Sequence, residues 1–197
     1  MKYSKLQMFL LCVALTVALS SANVYANSYL EQYNKVTTGS PASSTMRHSK
    51  KEILSTFSTK FTKKPKARNH NMKLASIALD QYVIEPGQTF SFNEVIGYAG
   101  PEQGYKIATI LVNGKEEKAY GGGICQVSST LYNAALEAGL EIVERHPHSK
   151  EVRYVEKGKD AATSYGTKDL KFKNNFPYPV IINTYISDDT FTTEILK

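Results

Sequence analysis

The chain has only two cysteines in 197 residues, and much of its interpretation turns on where they lie. Cys12 sits inside MFLLCVALTVALSSA, an apolar stretch preceded by Lys2 and Lys5 and followed by VYANS, whose small residues have the spacing a signal peptidase accepts. Residues 1–26 therefore predict a secretory signal peptide cut after Ala26. Cys12 leaves with it, and it follows bulky leucines too early in the stretch for a lipoprotein signal. Cys125 alone remains, which excludes an internal disulfide in a compartment that favours disulfides. The apolar run is shorter than the roughly 20 residues of a spanning helix. Also missing are any internal repeat, the G-x-S-x-G motif of a serine nucleophile elbow and a close Cys/His cluster of the zinc-binding kind.

Acidic residues are in the minority. The formal charge is +6, and loss of Lys2 and Lys5 leaves a product near +4. Much of the excess lies in KFTKKPKAR, residues 60–68. In an exported protein such a cluster meets anionic wall polymers and membrane surfaces rather than nucleic acid, or is a solvated face. The expected partner is peptidoglycan or another cell-wall polymer, with membrane contact only through the leader before cleavage and no nucleic acid.

What remains is one domain of ordinary size behind a tail. Residues 27–52 are polar, rich in Ser and Thr, and without a sustained apolar period, so they predict a flexible linker; the body runs over 53–197. ILSTFSTKFT alternates like a strand. Asn69 or Asn71 is a candidate cap for a helix through MKLASIALD, with Leu74, Ile77 and Ala78 on one side. QYVIEPGQTFSFNEVIG predicts two short strands joined by EPGQ, and Asn113-Gly114 in IATILVNGKEEKAY is a hairpin signal. Ile124, Val127, Leu131, Ala134, Ala135 and Ala138 recur at helical spacing, and Gly139 supplies the stop. The segments EIVERHPHS, EVRYVE, DLKFKNN, YPVIINTYI and TFTTEIL predict further strands. The fold class is α+β: a mainly antiparallel sheet with a central helix starting at Cys125 packed on one face.

Three glycines precede that cysteine in YGGGICQVSST. Consecutive glycines are kept where the backbone turns unusually or is approached closely. A cysteine on the first turn of the helix lies where unpaired N–H groups and the helix dipole favour a thiolate.

RNHNMKLA, EPGQTFSFNEVIG, GYKIATILVNG, YGGGICQVSSTLYNAALEAGLEIVERHPHS, GKDA and DLKFKNNFPYP together resemble the VanW family, whose members are named for an accessory gene of some glycopeptide-resistance clusters. The resemblance covers roughly residues 53–196. It implies a cell-envelope protein of Gram-positive-type bacteria, of a kind often joined to peptidoglycan-binding modules.

Chemistry has to come from the side chains. A cysteine hydrolase or acyltransferase needs a thiolate, a base, a group that orients the base, and N–H donors for the oxyanion. Cys125 at a helix start, a histidine on a later strand and an acid beyond it follow the order of papain-like and transglutaminase-like enzymes. His146 and His148 are the candidate bases; in an extended ERHPHS they share parity and face the same side. Asp160 and Asp169 are the candidate orienters, with Asn174 or Asn175 behind them. Gly121, Gly122, Gly123 and Gln126 are candidates for substrate approach and the oxyanion hole, whereas Ser128 and Ser129 suit local structural bonds. Cys125, His146, His148 and Asp160 are also a set that zinc would use, but without a close ligand cluster neither metal nor cofactor is expected. The alternative to an enzyme is a non-catalytic module that binds peptidoglycan or an envelope partner.

Overall fold

The computed structural model of the chain describes residues 51–112 and 114–197. The leader over 1–26, almost all of the 27–52 linker and Asn113 of the hairpin turn lie outside the described residues. No helix among the described residues is long and apolar enough to cross a membrane.

The elements follow in the order β1 (Ile53–Lys60), α1 (Lys66–Leu79), β2 (Tyr82–Ile84), β3 (Thr89–Ser91), α2 (Phe92–Ile96), β4 (Ile107–Val112), β5 (Lys115–Tyr120), α3 (Ile124–Glu137), β6 (Glu141–Glu144), β7 (Lys171–Lys173), β8 (Val180–Ser187) and β9 (Thr190–Leu196). The class is α+β, with α3 lying on the β1–β9 face. The strands form three antiparallel sheets where the sequence predicts one: β1-β9-β8-β2, β3-β7-β6 and the hairpin β4-β5. β2 and β3 do flank EPGQ, but they leave the turn into different sheets, β2 pairing with β8 and β3 with β7. The hairpin is as its Asn-Gly signal predicts, with Val112 opposite Lys115.

Helix α3 owes its place to both its faces. Val127, Leu131, Ala134 and Ala135 are fully buried in the core with Phe191 and Ile195 of β9. Burying one large aliphatic side chain stabilises by about 1.5–3 kcal/mol, so this stripe dominates the docking. β1 meets α3 through hydroxyls. Ser55 Oγ donates to the Ala134 carbonyl at 2.6 Å, and Thr59 and Thr130 share a hydrogen bond at 2.8 Å.

Three sequence readings fail here. α1 begins after Pro65, so neither Asn69 nor Asn71 caps it, and no side chain does. Its buried face is Asn71, Met72, Ala75, Ser76 and Leu79, while Ile77 is 64% exposed. Asn71 turns inward because its amide has work there. Nδ2 donates to the carbonyls of Lys106 (2.8 Å) and Gly122 (3.0 Å), and Oδ1 accepts from the Lys106 N–H (2.8 Å). EVRYVE forms no strand; residues 145–170 run irregularly between β6 and β7, with one bridge between Ser164 and Lys168.

Candidate active site

Cys125 is the second residue of α3 and is partly exposed. The irregular segment beside it is fastened by polar side chains of the same helix. Ser128 Oγ donates to the Ala161 carbonyl at 2.7 Å, Ser129 Oγ accepts from the Ala161 N–H at 2.9 Å, and Asn133 Nδ2 donates to the Lys159 carbonyl at 2.7 Å. The VSSTLYN portion of the helix therefore fixes residues 159–163 against the first turn, which sets Asp160 and Thr163 near the thiol. Cys125 Sγ is 3.5 Å from the Thr163 carbonyl oxygen and 3.9 Å from its Oγ1.

Asp160 holds His148 from two directions. Its Oδ2 accepts from His148 Nδ1 at 2.6 Å and from the His148 backbone N–H at 2.6 Å, while Oδ1 takes the Arg145 Nη2 at 2.7 Å. Arg145 Nε also donates to the Asp160 carbonyl at 2.6 Å. This pairing sets the tautomer: Nδ1 carries a proton toward the carboxylate, leaving Nε2 unprotonated, 3.5 Å from the Tyr154 hydroxyl.

The electrostatics follow from that packing. Burial would raise the Cys125 thiol, but its interaction with the His148 imidazole and the Thr163 backbone lower it below the ordinary value. Burial would lower His148, and Cys125 and Asp160 raise it instead. Burial would likewise raise Asp160; the His148 bonds and Arg145 bring it down. A depressed thiol beside a raised imidazole is the condition for a thiolate–imidazolium pair.

His146, Asp169 and the two asparagines stand apart from this arrangement. β6 stops at Glu144, after a bulge in its pairing with β7, so the shared parity expected of the two histidines does not hold. His146 Nε2 pairs with Glu144 Oε1 at 2.8 Å, and Lys171 bonds the other oxygen at 2.9 Å. His146 and Lys171, helped by the Asp169 N–H, hold the Glu144 carboxyl down at about 2. Asp169 accepts from Ser91 Oγ (2.6 Å) and the Asn93 N–H (2.9 Å), which ties down the start of α2. Asn174 bonds the Ile84 and Tyr178 carbonyls, and Asn175 is exposed. The zinc set is not assembled: no group of three His, Cys, Asp or Glu among the described residues could hold a metal ion.

The glycines and Gln126 are also placed differently from the sequence expectation. Gly121 and Gly122 are buried. A Cβ on Gly122 would stand 2.6 Å from the Thr109 carbonyl oxygen and 2.8 Å from Ala108 Cβ, and one on Gly123 (φ +112°) 2.9 Å from Arg68 Cγ. Gly121 (φ +80°) is closed in by Ala99. The room at these glycines is taken by β4, α1 and the loop before β4 rather than left for a substrate. Gln126 Nε2 donates to Thr59 Oγ1 and the Lys60 carbonyl, both at 2.9 Å, and its own N–H bonds Gly123 O at 3.0 Å, so no Gln126 donor is left for an oxyanion. The Cys125 N–H, by contrast, has no acceptor among the described residues. Gly122→Ala should therefore destabilise by about 1–3 kcal/mol, since the group in the way is backbone; a urea midpoint equal to that of the unsubstituted protein would show the loop free to move.

Arg68 and Tyr154 were not read from the sequence as site residues. Arg68 Nη2 donates to Gln126 Oε1 at 2.6 Å and Nη1 reaches Met72 Sδ at 3.0 Å, so the guanidinium lies over the first turn of α3. Burial lowers Arg68 from its ordinary value, against the pull of Tyr154 and Cys125. Burial and the facing Cys125 sulfur raise the Tyr154 phenol well above the usual tyrosine range. The signal available for Tyr154 was a lone aromatic in an otherwise charged EVRYVE; for Arg68 it was a cation beside the asparagines Asn69 and Asn71 in the first turns of α1. Neither names a role by itself. Two open clefts, of about 630 and 590 Å³, lie elsewhere on the surface, one around Glu144, Asp169 and Tyr165 and the other along α1, and Cys125 lines neither.

Residues 67–196 match a protein family described as "VanW like protein". Over 137 residues the chain is 44% identical to "Uncharacterized protein YoaR" of Bacillus subtilis, an alignment that covers 70% of this chain and 45% of that protein. Over 114 residues it is 37% identical to "Vancomycin B-type resistance protein VanW" of Enterococcus faecalis, covering 53% of this chain and 40% of the relative. The aligned part thus spans less than half the length of either relative. No solved structure matches.

Proposed function

The chain belongs to the VanW family, and from that premise together with the surroundings of Cys125 we propose that it is an exported cell-envelope protein, a cysteine-dependent hydrolase or transpeptidase-like acyltransferase acting on amide bonds of peptidoglycan. The observation that carries the reading is the pairing of His148 Nδ1 with Asp160 at 2.6 Å beside a cysteine whose thiol is depressed. In this scheme the Cys125 thiolate attacks the carbonyl carbon of a peptide bond, and the Cys125 N–H faces the oxygen as it gains charge. His148, as imidazolium, gives its proton to the departing amine while the carbon–nitrogen bond breaks, leaving a thioester. Water in hydrolysis, or a second amine in transfer, then attacks the thioester as His148 takes a proton from it, and the thiolate is released. Asp160 keeps the ring in the required tautomer. The vancomycin resistance named for the Enterococcus faecalis relative supports an envelope peptide as the substrate class.

A second reading, a peptidoglycan-binding module without turnover, is favoured by one observation: Cys125 lines neither of the clefts described above. Incubation with purified muropeptides, followed by mass spectrometry, separates the two. The enzyme reading expects new amine or cross-linked products and an acyl adduct on Cys125, all absent from Cys125→Ser. Retention on intact sacculi, with no product and no adduct for either protein, would establish the binding module instead.

A further inference from the structure

Residues 60–73, KFTKKPKARNHNMK, contain six cationic side chains and no acidic one. Arg68 is turned to Gln126, but Lys60, Lys63, Lys64, Lys66 and Lys73 are exposed, and none of the five forms a salt bridge among the described residues. Lys63, Lys66 and Lys73 rim the cleft of about 590 Å³ along the outer face of α1, whose apolar lining is Phe61, Ile77 and Ile186, with Asp188 its one carboxylate. The misread helix face thus acquires a meaning: Ile77 is exposed and lines the same cleft as these three lysines.

We propose that this face docks on an anionic lipid surface. Lysines gain from a negative headgroup layer, while their methylene stems and the isoleucines between them gain from the edge of the acyl region. A soluble polyanion would engage the lysines but has no use for the apolar lining. A single small phosphate would need enclosed donors, and these ammonium groups are long, exposed and spread along the chain. Lys60, which precedes Phe61 of the lining, is joined to the candidate site, because Gln126, the neighbour of Cys125, donates to the Lys60 carbonyl. The docking face would give the body a membrane contact beyond the one expected of the leader, and it does not depend on Cys125 being a nucleophile.

Vesicle co-sedimentation tests the proposal, using phosphatidylcholine alone and phosphatidylcholine mixed with phosphatidylglycerol. Binding is expected only with the anionic lipid and should weaken as salt screens the lysines. Each of Lys63→Gln, Lys66→Gln and Lys73→Gln should lower the partition coefficient about fivefold, and the triple variant about a hundredfold. Ile77→Asn should remove the part of the binding that survives high salt. All four positions are exposed, so urea midpoints should stay in place. Absence of binding to the anionic vesicles, or binding that the triple variant leaves intact, would overturn the proposal. Retention on soluble polyphosphate without vesicle binding would overturn it in favour of a polymer ligand.

Discussion

Cys125 of the folded protein should react with iodoacetamide at pH values below the pKa of about 8.5 of an ordinary cysteine, and His148→Ala should abolish that advantage. The sign follows from the two shifts. The Cys125 value is depressed, so thiolate persists as pH falls, until the lowered value is crossed. The His148 value is raised, so imidazolium persists as pH rises, until the raised value is crossed. The ion pair therefore occupies the window between them, and the two groups titrate as a unit. Removing the ring removes the cation and leaves burial opposed only by the Thr163 bonds, so the alkylation midpoint of His148→Ala should move upward. Any turnover should fall by about 10²–10⁴-fold, the range of a lost general acid–base group. Asp160→Asn should move the midpoint in the same direction, because the neutral amide no longer favours the imidazolium. His146→Ala is the control: its partner is Glu144, and the midpoint should not move. A midpoint at or above that of a free thiol in the unsubstituted protein, unaffected by His148→Ala, would remove the catalytic reading.

Phe172→Ala should destabilise the protein by about 3–5 kcal/mol, the range for emptying a fully buried aromatic site. Phe172 is the middle residue of β7, which is itself the middle strand of its sheet, opposite Phe90 on one side and Ile142 on the other. The rings of Phe90 and Phe172 stack at 4.7 Å, and both are fully buried. With the strand paired on both edges, the backbone cannot close onto the void. The measurement is urea unfolding with the slope held in common; a loss below about 1 kcal/mol would mean that neighbouring side chains refill the site, contrary to this packing. Cys125 alkylation measured in the folded fraction should change little, which separates this effect from the chemical one.

The parts of the fold that could be read from sequence are those whose signals are local. Asn113-Gly114 needs only its two flanks to specify a hairpin, and the Ile124-to-Ala135 stripe needs only one helix period. The misreadings share a different cause. The buried face of α1 is polar at Asn71 and Ser76, because these side chains bond the β4 approach and Thr184 of β8, so an apolar count along the helix selects the wrong side. The choice between His146 and His148 rested on strand parity, and parity ends where β6 loses its partner. The choice between Asp160 and Asp169 had no local basis at all. Both are buried acids in Lys- and Gly-flanked loops, and what distinguishes them is that Ser128, Ser129 and Asn133 bind the segment holding Asp160. Those serines could be assigned to structure from sequence, but what they fastened could not.

Asn71 has a mechanical consequence. Through Gly122 on one side and Lys106 on the other, its single amide ties α1 to the turn that presents the thiol. A displacement of α1 would therefore strain the bond at Gly122, three residues before Cys125.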